Sequence, residues 1–238
     1  MKAAVLSDQA LRSSYQFDHC DHFIFLDTAL WTVTASDLGG AAVGDAAGGI
    51  LVVSCSDGTP ADNDETYVAT KEIFKIGAGK AMHGRVALQF TEAATNAANV
   101  LVGFMDAMIA NSLQDNGLGP KASFSGAAFY KVDGGRNWWV VYSDGATQEK
   151  VELTAAASLS RSAQQSGGAA YQTLEVVITP KNTTQCDVEF LIDGRCVYKM
   201  LDKTFANATE MSFGFGAKAG TAAAQTINVD LAAFCSKV

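Results

Sequence analysis

Three aromatic side chains lying close together, Trp138, Trp139 and Tyr142, are the residues best suited to bind a ligand. Exposed aromatic rings are surfaces on which sugars stack, and aromatic residues also concentrate at the centres of protein interfaces. Because neighbouring side chains of a strand point to opposite faces, we expect one tryptophan in the core and the other outside. A place in the core or against a protein partner is favoured over a sugar site.

Two segments carry residue types that bind metal ions. Residues 19–22 read His-Cys-Asp-His, but adjacent residues rarely complete a tetrahedral zinc site, so we interpret them as a polar segment. Residues 57–65 hold three aspartates and one glutamate. Calcium requires roughly six to eight oxygen ligands, and this spacing is not that of an EF-hand loop. We expect solvated acidic turns there, with no metal and no cofactor.

Composition excludes several classes of function. The chain has 238 residues, a formal net charge of -8, 48% hydrophobic residues and 18% charged residues. These proportions are ordinary for a packed globular protein, and an acidic chain lacks the clustered Lys and Arg that bind nucleic acid. No apolar run has the length of a membrane span, and the first residues contain no signal-peptide core. We expect a soluble protein with one domain over residues 1–238.

Five cysteines lie far apart and form no CxxC pair. An odd number of thiols without an export signal predicts reduced cysteines. A hairpin turn at the Asp-Gly pair that follows Ile192 would place Cys186 opposite Leu201 and Cys196 opposite Leu191. The two sulfurs are then not cross-strand partners, and we expect no disulfide between them.

Alternating apolar and polar residues predict β-strands over most of the chain. In one such run, Val86, Leu88 and Phe90 point one way and the residues between them the other. Asp-Gly and Gly-Gly turns separate the runs. Strands are predicted at Phe23–Leu26, Ile50–Ser54, Thr66–Ala69, Glu72–Ile76, His83–Glu92, Ser123–Val132, Asn137–Ser143, Gln148–Leu153, Tyr171–Thr179, Gln185–Ile192, Cys196–Met200, Glu210–Lys218 and Gln225–Cys235. This number of strands without a βαβ rhythm predicts an antiparallel sandwich or barrel.

Other segments lack this clear alternation. Within residues 91–113 the apolar side chains recur at helical spacing, so a helix is an alternative to a strand at Asn99–Asp106. We favour the strand because Gly103 weakens a helix. The Gly- and Ala-rich stretch Leu38–Gly49 is predicted to be a loop. The N-terminal segment Met1–Asp21 has no strong strand pattern.

Five segments follow one another in an order that resembles a known fold. They are FTEA (90–93), VLVGFMDA (100–107), GAAFYKVDGGRNWWVVYSDG (126–145), YQTLEVVITPKNTTQCDVEFLIDGRCVYKM (171–200) and INVDLAAF (227–234). From Lys71 onward this order resembles the concanavalin A-like (laminin-G/lectin-glucanase) jelly-roll family, whose hairpin carries a Val-x-Phe-x-x-Asp-Gly pattern. The resemblance implies an all-β, antiparallel jelly-roll β-sandwich with a less regular N-terminal segment.

Sequences with such plain strands and no catalytic motif are similar to accessory virion proteins of tailed phages. The resemblance implies a non-enzymatic capsid decoration (cement) protein on the outside of a bacteriophage capsid, made in the host cytoplasm. Its partner would be the major capsid protein, and a homo-oligomer, with a trimer favoured, fits the symmetry of a shell. Residues 1–21 would then be an anchoring arm, and Trp138, Trp139 and Tyr142 would contact the capsid.

A carbohydrate-binding, lectin-like module for host-surface attachment is the alternative function. In that case the same aromatic residues would contact a glycan. The deciding feature is whether Trp138 or Trp139 lies exposed beside polar loops on a concave face.

Catalysis by paired carboxylates is the third alternative. The glucanases that share the resembling fold carry Glu-x-Asp-x-Glu on one strand, and the matching positions here are Gln185, Asp187 and Glu189. A glutamine cannot act as an ionised nucleophile, so a retaining glycosidase is disfavoured and no catalytic residue is predicted. We interpret the segment as a solvated strand face whose inward residues are Cys186, Val188, Phe190 and Ile192.

Overall fold

The computed structural model describes residues 15–36, 38–56, 58–76, 80–92, 96–205 and 210–237. Within them the strands are β1 (Tyr15–Asp21), β2 (Trp31–Ala35), β3 (Gly40–Val43), β4 (Leu51–Ser54), β5 (Glu65–Thr70), β6 (Phe74–Lys75), β7 (Met82–Glu92), β8 (Ala98–Met105), β9 (Ser125–Lys131), β10 (Trp139–Asp144), β11 (Gln148–Glu152), β12 (Gln172–Pro180), β13 (Gln185–Ile192), β14 (Arg195–Thr204), β15 (Glu210–Ala219) and β16 (Gln225–Lys237). A 3-10 turn at Asp115–Gly117 lies between β8 and β9. In this part of the chain no helix has the length and apolar character needed to cross a membrane.

The strands form two antiparallel sheets that pack face to face. Sheet A has the order β14-β13-β12-β7-β16-β4-β3, with β1 added against β16. Sheet B has the order β11-β10-β9-β8-β15-β5-β2, with β6 added against β15. The predicted all-β, antiparallel sandwich is confirmed.

The core between the sheets follows from the alternation of the strands. In β7, Val86, Leu88 and Phe90 are buried while Arg85 is exposed. The same alternation in β13 buries, as predicted, Cys186, Val188, Phe190 and Ile192. Each strand therefore contributes one apolar face to the layer between the sheets.

The β13–β14 hairpin has a less regular register than the sequence predicts. Cys196 pairs with Leu191 as expected, but Cys186 pairs with Lys203 and not with Leu201. Two irregularities in the ladder, one after Cys186 and one after Phe190, shift the pairing. Cys186 and Cys196 are therefore not cross-strand partners, as predicted, and all five cysteines are free thiols.

The N-terminal third differs most from the prediction. The predicted strand at Phe23–Leu26 is wrong, since Ile24 and Phe25 form a bend and Phe23 adopts a left-handed φ of 53°. Tyr15–Asp21, for which no strand was expected, pairs with β16. Gly40–Val43 forms an edge strand inside the predicted loop. The rest of the predicted anchoring arm, residues 1–14, lies outside the described residues.

The β8 strand resolves the ambiguity between a helix and a strand in favour of the strand. Its apolar residues resemble a helical pattern because both faces of the strand are buried. Val100, Val102 and Phe104 face the sandwich core, and Leu101 and Met105 belong to a second apolar cluster. That second cluster lies on the outer face of sheet B.

Candidate functional site

A long connection between β8 and β9, residues 106–124, covers the outer face of sheet B. Its apolar side chains Met108, Leu113 and Phe124 are buried in the second apolar cluster. The sheet contributes to that cluster Tyr67, Ala69, Leu101, Met105, Ala128, Tyr130 and Val141. We call residues 106–121 the covering loop.

A buried lysine of β15 lies beneath the covering loop. Lys218 has a side chain only 1% exposed, and its Nζ lies 2.6 Å from Oδ1 of Asp115 and 3.4 Å from Oε2 of Glu65. The same nitrogen donates to Oδ1 of Asn111 at 3.0 Å and to the carbonyl oxygen of Leu113 at 3.3 Å. Three positions of the loop and one of the sheet therefore share a single ammonium group.

Glu65 and Tyr67 of β5 complete this buried network. The Tyr67 hydroxyl donates to Oε2 of Glu65 at 3.0 Å and accepts from the backbone N–H of Leu113 at 3.0 Å. The other carboxylate oxygen of Glu65 accepts from the N–H of Asn111 at 2.8 Å. Burial, and then the charge of Glu65, raises the pKa of Tyr67 well above its ordinary value. The hydroxyl thus keeps its proton and can donate and accept at once.

The position of Glu65 corrects the prediction for the acidic segment 57–65. Asp64 and Glu65 are buried, whereas Asp62 is exposed as expected for a solvated turn. The carboxylate of Asp64 accepts from the N–H of Ala61 at 2.7 Å. Asp57 lies outside the described residues.

Glycine on β15 makes room for the network. A Cβ atom at Gly216 would lie 2.3 Å from Cδ1 of Tyr67. Gly216 pairs directly with Tyr67 in the sheet, so any side chain there would collide with the ring. The tyrosine can therefore lie across the strand and reach the loop.

Hydrogen bonds within the covering loop join its two arms. The N–H of Gln114 donates to the carbonyl oxygen of Gly119 at 2.8 Å, and its side-chain amide donates to that of Pro120 at 2.7 Å. Lys121 donates through Nζ to the carbonyl oxygen of Ala107 at 2.9 Å. The loop is therefore held both to the sheet and to itself.

The outer side of this loop presents polar groups around a shallow pocket of about 410 Å³. The pocket is lined by Asn111, Gln114, Asp115, Asn116 and Leu118. Asn111 and Asn116 have left-handed φ values of 60° and 55°, a conformation that asparagine tolerates better than most residues. Leu118 is 65% exposed. Amide and carboxylate groups can donate to and accept from hydroxyls, while the leucine offers an apolar surface.

The structure separates the three aromatic residues predicted to bind a ligand. Trp138 is fully buried and its indole N–H donates to Oε1 of Gln172 at 3.0 Å. Tyr142 is also buried, donates to the carbonyl oxygen of Thr204, and burial raises its pKa to about 12. Trp139 is half-buried. The expectation that one tryptophan lies in the core is confirmed.

Trp139 is the predicted aromatic residue that lies on the face of the covering loop. Its ring centre is 5.7 Å from that of Tyr130, which is its partner across the β9–β10 pair. A Cβ at Gly119 of the loop would lie 2.9 Å from Cε2 of Tyr130. Trp139 therefore flanks the loop, with Tyr130 between them, and its role in binding stays a prediction.

The sequence analysis did not single out the pocket residues. The segment Asn-Ser-Leu-Gln-Asp-Asn-Gly-Leu-Gly at 111–119 does contain a signal, since Asn, Asp and Gly together are typical of a structured turn. What the sequence could not provide is the pairing of this segment with Glu65 and Lys218, which lie far from it along the chain.

A second polar pocket, of about 640 Å³, lies beside the β13–β14 hairpin. Its lining includes Ser160, Gln164, Gln172, Asp193 and Arg195. The amides of this pocket are largely used within the protein, because Gln164 donates to Ser160 Oγ and Gln172 accepts from the Trp138 indole. The covering-loop pocket instead lies above the buried Lys218, and its side chains Asp115, Asn116 and Leu118 are exposed.

The polar segment 19–22 is part-buried, and the Asp21 carboxylate accepts from the Trp31 indole N–H at 2.9 Å and from the Phe23 N–H at 2.7 Å. His19 Nε2 lies 3.8 Å from Oδ2 of Asp21, and among the described residues no group of three metal-binding side chains comes together. Asp187 and Glu189 lie on the outer face of sheet A, paired with Lys181 at 3.0 Å and Lys199 at 2.6 Å. The interpretation of 185–189 as a solvated strand face is confirmed.

Comparison with known proteins identifies the architecture. No protein-family model matches the chain, and no curated protein matches its sequence. Solved structures do match it. The lectin UEA-II in complex with galactose is 9% identical, with a TM-score of 0.63 over 94% of this chain and 100% of that lectin. The fold is that of the legume lectins.

Two further solved structures extend the comparison. The carbohydrate recognition domain of Emp46p, solved in a metal-free and in a potassium-bound form, is 13% identical, with a TM-score of 0.57 over 90% of this chain and 93% of that domain. An endo-β-1,4-glucuronan lyase from Trichoderma reesei is 12% identical, with a TM-score of 0.57 over 93% of this chain and 95% of the enzyme. Identities this low establish the shared fold alone.

Proposed function

We propose that this protein is a non-enzymatic carbohydrate-binding protein and that the covering loop forms its binding site. The observation that carries the proposal is the set of outward amide and carboxylate groups of Asn111, Gln114, Asp115 and Asn116 beside the exposed Leu118. Sugar hydroxyls pair with such groups, and the C–H face of a sugar ring packs on an apolar side chain.

The shared architecture supports this function. Two of the similar structures described above are a galactose-bound lectin and a carbohydrate recognition domain. The similar lyase shows that the fold also carries catalysis. Here Asp187 and Glu189 are committed to ion pairs with lysines on the opposite surface, which supports a binding role over a catalytic one.

The alternative of a capsid decoration protein stays a prediction, as do the major capsid protein as partner, the trimer and the virion location. No observation on the described residues favours a capsid partner over a glycan. Attachment to a host surface through a glycan is compatible both with a virion protein and with a free-standing lectin.

We infer that the ligand is a neutral sugar. The carboxylate of Asp115 lies at the pocket with a side chain 54% exposed, and the chain carries a net charge of -8. Asp115 and Glu65 together outweigh the single positive charge of Lys218, and this net negative charge disfavours uronic and sialic acids. Neutral hexoses such as galactose keep the hydrogen bonds without this repulsion.

Substitution of Leu118 tests the site. The Leu118→Ala variant should weaken binding of a neutral glycan at least about fivefold, since losing half of a buried leucine contact costs about 1 kcal/mol. Titration calorimetry with the best ligand from a glycan screen measures the change.

Leu201 of β14 provides a matched control. It is 56% exposed on the other sheet, so the same truncation removes a similar surface away from the loop. We expect Leu201→Ala to bind like the unmodified protein. Equal affinity of Leu118→Ala and Leu201→Ala would contradict this placement of the site.

A further inference from the structure

We propose that the ammonium group of Lys218 takes the place of a metal ion in organising the covering loop, so that ligand binding is independent of metal. This inference rests on the proposed function for its binding consequence, while its structural part stands separately. The residues carrying it are Lys218, Glu65, Asn111, Leu113 and Asp115.

The oxygen atoms around Lys218 are those of a cation site. Two carboxylates, one side-chain amide oxygen and one backbone carbonyl oxygen lie within 3.4 Å of Nζ. Carboxylate, amide and carbonyl oxygens are also what calcium takes as ligands in proteins. A lysine ammonium is a compact charge with three rotatable donors, so it can satisfy such a cluster from within the chain.

A metal ion does not fit beside this ammonium. Both would need the same oxygens, and two cations at contact distance in a buried site repel strongly. The lysine is also required where it is, because removing it would leave the buried Glu65 without its opposite charge. The residues present therefore favour a permanent internal cation over an exchangeable one.

The ammonium orients side chains of the pocket as well as holding the covering loop against the sheet. Asn111 and Asp115 each turn one oxygen, Oδ1, toward Lys218. Within the part of the chain that the structure describes, the Nδ2 group of Asn111 and the second carboxylate oxygen of Asp115 make no hydrogen bond, so a ligand can contact them. Lys218 is thus a positioning residue of the proposed site, because it contacts the groups that would contact the sugar and is itself buried.

Hydrogen exchange of the covering loop tests this role without using a sugar. The N–H groups of Asn111 and Leu113 donate to Glu65 and to Tyr67, so their protection reports whether the loop is closed. In the unmodified protein we expect the same protection in a chelator, in potassium and in calcium. In Lys218→Ala we expect both amides to exchange at least about tenfold faster, and in Lys199→Met, a control at a surface ion pair, no change.

Chemical rescue keeps the test independent of damage to the fold. Lys218→Ala leaves an oxygen cluster without its cation, and potassium or methylammonium at millimolar concentration should restore protection of the two amides. If Lys218→Ala does not fold, Asp115→Asn takes its place in the test. This variant removes one charge at an exposed side chain, and we expect it to lose part of the protection at the N–H groups of Asn111 and Leu113.

Each outcome addresses one claim. If protection of the two loop amides in the unmodified protein falls in chelator and returns with calcium, the claim that Lys218 serves as the internal cation is wrong. This holds whatever ligand the protein binds. Unchanged exchange in both Lys218→Ala and Asp115→Asn would also overturn that claim. A chelator-resistant, lysine-dependent loop that binds no glycan would support the internal cation and overturn the proposed function.

Discussion

Buried charges distinguish the candidate site at the scale of single residues. Moving Lys218 and Glu65 out of water is expensive, and their mutual attraction repays the cost only with further hydrogen bonds. Here those bonds come from Tyr67 of β5 and from Asn111 and Leu113 of the covering loop. The same contacts link residues 111–115 to β5 and β15, so the charged pair positions the covering loop.

The Tyr67 hydroxyl provides the most direct test of this network. Tyr67→Phe leaves the buried N–H of Leu113 without an acceptor and removes a donor to Glu65. We expect a loss of about 1–3 kcal/mol in the free energy of unfolding, measured by denaturant titration. Tyr171→Phe, at a side chain 45% exposed, is the control and should change stability little. Equal effects of the two variants would count against the network.

A second residue-scale prediction concerns His83 on the outer face of sheet A. Hydrogen bonds with Cys235 and with Glu175, whose Oε2 lies 2.9 Å from Nε2, raise the pKa of His83 to about 9. A raised pKa means that the charged form stabilises the fold. That contribution is complete below the ordinary value of 6.5 and is lost as the pH rises through about 9.

The pH dependence of stability measures this contribution. Because the His83 side chain is 39% exposed, we expect at most about 1 kcal/mol to be lost between pH 6.5 and about 9. His83→Gln should lose less over the same interval. Parallel pH profiles for the two proteins would show that the pair does not stabilise the fold.

At the scale of elements, the turn between β13 and β14 is where local sequence and structure agree best. Asp193 and Gly194 both adopt left-handed φ values, 51° and 74°, as a two-residue hairpin turn requires. A Cβ at Gly194 would meet no atom within 4 Å. Any effect of a side chain there therefore comes from the backbone conformation and not from a collision.

Gly194→Val tests this turn. A β-branched residue in the left-handed region costs about 1–2 kcal/mol, so we expect a lower melting temperature for the variant. Asp193→Asn is the control, because asparagine tolerates the left-handed region. It also keeps an Oδ1 acceptor for the N–H of Thr173, which donates to Oδ1 of Asp193 at 2.9 Å. A melting temperature unchanged by Gly194→Val would contradict the assigned turn.

At the scale of elements, the strands also differ in how well the sequence could predict them. Strands β7, β12, β13, β14 and β16 have one buried and one exposed or partly covered face over many residues, so alternation located them. Strands β2 and β3 are short edge strands with little burial, and β1 is rich in polar residues, so no pattern marked them. The covering loop depends on contacts between Glu65, residues 111–115 and Lys218, which no local pattern encodes.

For the whole molecule, the two outer faces of the sandwich differ in character. The outer face of sheet A carries ion pairs such as the exposed Lys199–Glu189 and the part-buried His83–Glu175. The outer face of sheet B is instead covered by a loop that is fixed by a buried ammonium and presents polar groups outward. A rigid scaffold below and oriented polar groups above are what a selective binding site needs.

The most direct test of the account is a glycan array probed with the unmodified protein in the presence of a chelator and with Leu118→Ala beside it. We predict retention of neutral glycans by the unmodified protein despite the chelator, and loss of most of that signal in the variant. Failure to retain any glycan, or equal retention by both proteins, would contradict carbohydrate binding at the covering loop.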